Sequence, residues 1–189
     1  MPNSTYTSDI FEILNKGQFI SSNTVDGDIQ KLYNVIDADF DEFYDYFVKI
    51  KFVLERGDEY FYFSKKESKA DLERKLEKAL QWIDILDFLK TYDNSFGSGY
   101  RGFTASNILV RTTIDTDLRS KLESLGRITK KEKPLEIIEQ LLKDLQSDRF
   151  IEIENKNYSS YKVLAAFDYL EKLVAAINII EEETYEIPQ

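Results

Sequence analysis

The chain of 189 residues has no cysteine and no histidine, and only one methionine, one tryptophan and three prolines. Without thiolate or imidazole there is no zinc site of the usual kind, no Fe–S cluster, no cysteine nucleophile and no Ser-His-Asp triad. Disulfides are excluded as well, which fits a reducing compartment. No run approaches 18 consecutive apolar residues, so no membrane-spanning helix is expected. The opening residues lack the basic and then apolar regions of a secretory signal. A location in the cytoplasm is expected.

What is present argues for a packed protein. The composition is 42% hydrophobic, 14% aromatic and 32% charged, too apolar for a disordered chain. The net charge of -10 opposes non-specific attraction to a phosphate backbone. Contact with nucleic acid would therefore need a local basic surface. Residues 101–133 supply one, with Arg101, Arg111, Arg119, Lys121, Arg127, Lys130, Lys131 and Lys133. Against four acids this stretch carries +4, while the remainder of the chain carries -14. These eight are candidates for sequence-independent contact with DNA, because lysine and arginine displace counterions from phosphate. A solvated loop and helix face is the plainer reading of such a run.

The apolar periodicity is mostly helical. It predicts helices over about 8–16, 28–36, 40–50, 68–92, 104–110, 115–126, 135–146 and 166–180. Within the third, Phe40, Phe43, Tyr44, Phe47 and either Val48 or Ile50 are expected inward, with Asp39 as N-cap. Along the fourth, Leu72, Leu76, Leu80, Ile83, Leu86 and Leu89 fall in register behind a Ser68–Asp71 start. The stripe of Leu72, Leu76, Trp82, Ile83 and Leu86 reads as core or dimer seam. Gly126 is expected to close the sixth helix.

Two segments switch to period two. Residues 52–56 and 60–64 flank Gly57-Asp58-Glu59, and residues 150–154 and 161–164 flank 155–160. Both read as β-hairpins. The segment 19–24 reads as a turn or a short extended piece, and Gly97-Ser98-Gly99 as a flexible inter-domain loop, since it follows a helix and lacks a Gly-Lys-Ser/Thr continuation.

Each half thus runs helices, hairpin, helix. A helical run followed by a hairpin is the winged-helix plan. The expected fold is α+β, mostly α with two small β-hairpin wings: tandem winged-helix domains joined by a long helix. The expected division is 1–66 and 94–180 for the two domains, 67–93 for the helix and 181–189 for a loose acidic tail. Alternation along Tyr60, Phe61, Tyr62 and Phe63 puts two of the four on the face away from the core. With Tyr44 and Tyr46 they are candidates for contact with a partner; packing of the wing within the chain is the plainer alternative. The acids of residues 26–45 read as helix caps and a solvated face, with no calcium-loop spacing.

The wording of particular segments goes further. Residues 10–20 (Ile-Phe-Glu-Ile-Leu-Asn-Lys-Gly-Gln-Phe-Ile), Leu32-Tyr33-Asn34 to Tyr46-Phe47, the wing 54–63, Phe88-Leu89-Lys90-Thr91-Tyr92-Asp93, and the last wing and helix, 149–173, are similar to the small accessory subunit of bacterial condensins, the MukE/MksE type. The resemblance runs through roughly residues 8–180 and rests on packing motifs, so no functional residue is carried over. It implies a tandem winged-helix homodimer, without enzymatic activity or cofactor, that binds the kleisin subunit of an SMC-type complex. Through the kleisin it would meet a long coiled-coil SMC-type ATPase and the DNA backbone at the nucleoid. Related complexes act against plasmids, and the sequence does not separate the two roles. A free-standing winged-helix transcription regulator is the alternative, but residues 40–50 are acidic and aromatic and residues 135–146 offer Glu136, Glu139, Gln140, Lys143 and Asp144, and neither looks like a reader of the major groove.

Overall fold

In the computed structural model of the protein, which describes residues 4–64 and 69–185, helices alternate with two small antiparallel sheets. The first unit runs α1 (Ser4–Asn15), β1 (Ile20–Ser21), α2 (Gly27–Ala38), α3 (Phe40–Lys49), β2 (Val53–Arg56) and β3 (Tyr60–Ser64). Its sheet has the order β1-β3-β2, with Ile20 opposite Phe61 and Leu54 opposite Phe63. One core collects Ile10 and Leu14 of α1, Ile29, Leu32 and Ile36 of α2, Phe43 and Phe47 of α3, and Leu54 and Phe61 of the sheet. Each such side chain contributes on the order of 1.5–3 kcal/mol on burial.

Local signals set the boundaries. Asp26 caps α2, its Oδ1 accepting the N–H groups of Asp28 (2.9 Å) and Ile29 (3.2 Å). Asp39 occupies the capping position of α3, but its side chain makes no capping bond. Asp39 also closes α2, its own N–H reaching Val35 O, and this fixes its backbone at φ -123, ψ 36. A capping side chain needs an extended backbone instead. The expectation for Asp39 is thereby corrected.

The second unit runs α4 (Lys69–Tyr92), β4 (Arg101–Phe103), α5 (Ala105–Ile114), α6 (Thr116–Thr129), α7 (Pro134–Ser147), β5 (Ile151–Asn155), β6 (Ser160–Val163) and α8 (Phe167–Tyr185). Its sheet has the order β4-β6-β5. Both sheets are therefore hairpins extended by a third short strand, β1 or β4, which the sequence reading did not contain for β4. Phe88, Leu89, Phe96, Phe103, Leu122, Leu141, Leu145 and Phe167 are among the side chains of this core. Thr104 and Asp115 cap α5 and α6, and Pro134 occupies the first turn of α7.

Two helices differ from expectation. α6 passes through Gly126 and ends at Thr129, closed by Lys130 at φ 57. Gly126 serves close approach, since a Cβ there would lie 2.9 Å from the carbonyl oxygen of Lys131. In α4 the buried stripe is Ala79, Trp82, Ile85, Leu86, Phe88 and Leu89, while Leu76 and Leu80 are 55% and 45% exposed. A helix of 24 residues is about 36 Å long, and among its described side chains those of the C-terminal part lie in the second core; the side chain of Leu72 falls outside the described residues. Ser68, the expected start, falls outside the described residues, and α8 extends through Tyr185, into the segment expected to be loose.

The two units meet in a dense joint. Phe19 packs at a tilt against Phe150 and Tyr169 at centroid separations of 5.0 and 5.1 Å, and Tyr62 meets Tyr169 at 5.1 Å. Glu152 accepts Thr24 Oγ1 (2.8 Å) and Val25 N–H (2.6 Å). Asn23 accepts the N–H of Ala165 at 2.9 Å, donates to Val163 O at 3.3 Å, and receives Lys162 on its carbonyl. Tyr60 donates from its hydroxyl to Asp168 Oδ2 at 3.2 Å.

Burial first, and then the Asp168 carboxylate, push the Tyr60 phenol well above its ordinary value; burial and the Asp93 acceptor do the same to Tyr100. The folded state thus favours the neutral phenol. This contribution is complete below about pH 10, the unfolded value, and is lost as pH rises from there toward the folded value. Urea midpoints should fall as pH rises above about 10, and Tyr60→Phe should flatten that fall. An equal fall in parent and variant would remove Tyr60 from the account.

Candidate functional site

The structure divides the eight basic side chains by what they touch. Arg119 closes α5 from the next helix, its Nε donating to Thr112 O (3.1 Å) and Nη2 to Thr113 O (2.7 Å). Lys121 ties α6 to α4 through Asp87 (2.9 Å) and Thr91 Oγ1 (2.8 Å), with Asp117 at 3.5 Å. The hydrogen bond with Asp87 raises its ammonium pKa. Arg101 pairs with Glu154, and Lys133 with Glu136 at 3.0 Å. The remaining four, Arg111, Arg127, Lys130 and Lys131, are exposed and make no ion pair among the described residues. Arg127, Lys130 and Lys131 gather at the end of α6 and the turn into α7, whereas Arg111 stands apart on α5.

The six aromatic candidates also separate. Tyr60 and Phe61 are buried, at 2% and 0% exposure. Tyr62 is half-buried in the joint, and Phe63 packs on Phe47 (4.7 Å) and Phe52 (5.2 Å). The expected outward pair of the wing is therefore Tyr60 and Tyr62, and the second unit covers it. Alternation gives a strand two faces; here both find apolar partners within the chain. Tyr44, Tyr46 and Val48 remain exposed on α3, and Ile50, which follows it, is exposed as well. Phe43 and Phe47 carry the buried line of α3, so Tyr44, Val48 and Ile50 correct the inward assignment. Asp41 and Asp45 share the exposed side of this helix.

Two clefts were not foreseen. One, of about 380 Å³, lies between α4 and α8 and is lined by Phe63, Leu76, Trp82, Phe150, Leu173 and Ile177. Lys78 and Asp148, paired at 2.6 Å, border it. The other, of about 440 Å³, lies beside β4 and α5. The first depends on contacts between segments distant in sequence, whereas the second is lined within residues 92–114; of the first, only Leu76 left a trace, in a stripe that continues past the core.

A family model for the condensin complex protein MksE matches residues 5–174. The chain belongs to the MksE family. No curated protein matches it. The match takes in both units and the joint, and ends within α8. As an MksE-family chain, the protein is a subunit of a condensin-like complex. Among the described residues, no three acids come together as a metal would need. No described helix is long and apolar enough to cross a membrane.

Proposed function

We propose that the chain is a non-enzymatic accessory subunit of an SMC-kleisin condensin complex: a homodimer of tandem winged-helix units that binds the kleisin and helps place DNA for chromosome condensation and segregation. The family match over residues 5–174 carries this reading. The strand orders β1-β3-β2 and β4-β6-β5, each closing a helical run with a hairpin, support the winged-helix assignment. The half-exposed Leu76 and Leu80 on α4 suit an isologous contact between two copies.

The exposed side of α3 weighs against a free-standing regulator. A helix that reads base edges presents arginine, asparagine or glutamine; α3 presents Asp41, Asp45, Tyr44 and Val48. DNA contact is assigned to Arg127, Lys130 and Lys131 of the second unit.

Co-expression with the kleisin-type subunit of the same genome, followed by size-exclusion chromatography with light scattering, tests the reading. A stable complex holding two copies of this chain is expected, and separate elution of the two proteins would overturn it. On the assembled complex, neutralising Arg127, Lys130 and Lys131 together should weaken DNA binding equally for all sequences. The slope of log affinity against log salt should fall by about 2–3. An unchanged slope would take these three residues out of the DNA contact.

A further inference from the structure

β4 is the edge strand of the second sheet: one side pairs with β6, and no described strand lies along the other. Arg101 and Gly102 are exposed there, while Phe103 turns into the core. Across the cleft stands α5, with Val110 and Ile114 at 63% and 74% exposure. They lie one turn apart on one line of the helix. Arg111, next to them, also lines the cleft and has no ion pair among the described residues. The nearby Asp93 feels the Arg111 charge, which helps hold its carboxyl below the ordinary value, without forming an ion pair with it. Asp93 accepts from Ser95 N–H (2.9 Å), Ser95 Oγ (2.6 Å) and Tyr100 Oη (2.8 Å), so its attraction for the guanidinium is only through space and the guanidinium N–H donors stay open to a carboxylate from outside.

We propose that this shelf of β4 and α5 is where the partner subunit docks, through an extended segment with alternating apolar and acidic side chains. The proposal rests on the accessory-subunit reading and names the face that serves it. Alternate side chains of a strand are roughly 7 Å apart on one side, and Val110 and Ile114 are about 6 Å apart along the helix axis. Two apolar side chains of one strand face therefore meet the two aliphatic residues, and a carboxylate meets Arg111. The three-residue edge of β4 adds a few backbone hydrogen bonds at most, so the apolar contacts and the ion pair set the affinity.

Polypeptide fits this face better than DNA. Phosphate gains nothing from Val110 and Ile114, whereas apolar side chains of a peptide are buried against them. The edge formed by Arg127, Lys130 and Lys131 offers no comparable pair of exposed aliphatic residues beside a strand edge.

The test uses the full chain with the kleisin-type subunit of its own genome, measured by calorimetry and light scattering. The variants are Val110→Asp with Ile114→Asp, Arg111→Glu alone, and Lys143→Glu, at an exposed position of α7, as control. The substituted positions are exposed, so the parent's melting temperature should be kept. The double aspartate variant should bind about thirtyfold more weakly or worse, Arg111→Glu about tenfold more weakly, and the control as the parent does. Parent-like affinity in the double variant would overturn the assignment of this face and leave the accessory-subunit reading standing. So would loss of DNA binding in Arg111→Glu with the partner retained, or a fall from two copies to one in the double variant. Failure of the parent itself to bind would overturn both readings.

Discussion

Phe96→Ala should lower the stability of the protein by about 3–5 kcal/mol, the usual cost of emptying a buried phenylalanine site. The urea midpoint should drop with little change in slope. Phe96 sits in the break between α4 and β4 and is wholly buried. Its ring lies 5.0 Å from both Tyr100 and Phe103 and 5.6 Å from Phe167, so one side chain joins the loop, the edge strand and the start of α8. The backbone is held too, with Asp93 N–H on Leu89 O (3.0 Å) and Gly99 N–H on Val163 O (3.1 Å). A loop so anchored cannot collapse around the missing ring without breaking those bonds, which puts the cost at the upper end of the range. A loss below about 1 kcal/mol would instead mean that this segment moves freely, as its Gly-Ser-Gly composition suggests.

That contrast marks the boundary of what the sequence carries. α7 was legible because Ile138, Leu141, Leu142 and Leu145 repeat at helical spacing and all are buried. The hairpins were legible from alternation around a turn. β4 was not, for three residues are too few to show a period, and its partner is about 60 residues away: Arg101 opposite Lys162. The leucines of α4 repeat with the same spacing whether a core covers them or not, so Leu76 and Leu80 read like Leu86 and Leu89. Only the position of the second core, fixed by α6, α7 and the sheet, tells them apart.

The candidate site follows the same logic. Counting charges located the basic stretch but could not tell which members were spent. Arg119 is absorbed by two carbonyls at the end of the preceding helix and Lys121 by an acid on α4. Of these, Arg119 is the one sequence reasoning could have reached, since it lies four residues into α6, directly after the turn from α5. Lys121 meets Asp87 across 34 residues, and no local pattern announces that. The two faces of β3 were likewise visible in Tyr60 to Phe63, but the cover on Tyr60 and Tyr62 comes from α8 and from Phe19, at opposite ends of the chain.

Gly57→Ala tests that cover from the turn of the first hairpin. A Cβ at residue 57 would stand 2.0 Å from Cζ of Tyr60 and under 2.5 Å from both ring carbons beside it. The ring cannot yield toward solvent, because Tyr60 is buried against Phe19 and bonded to Asp168. Nor can the turn shift freely, since Gly57 N–H is on Tyr60 O at 2.8 Å. The alanine must therefore displace the ring from the joint. The expected cost is about 3 kcal/mol, combining overpacking with the lost tyrosine hydrogen bond. A double-mutant cycle separates this cause from a simple backbone effect. With Tyr60→Ala already present, the ring is gone, and Gly57→Ala should then cost no more than about 0.5 kcal/mol. An equal cost in both backgrounds would place the strain in the turn itself. The predicted non-additivity makes Gly57 a residue of the joint rather than of its own hairpin. It also ties the wing's geometry to the way the two MksE units are held against each other.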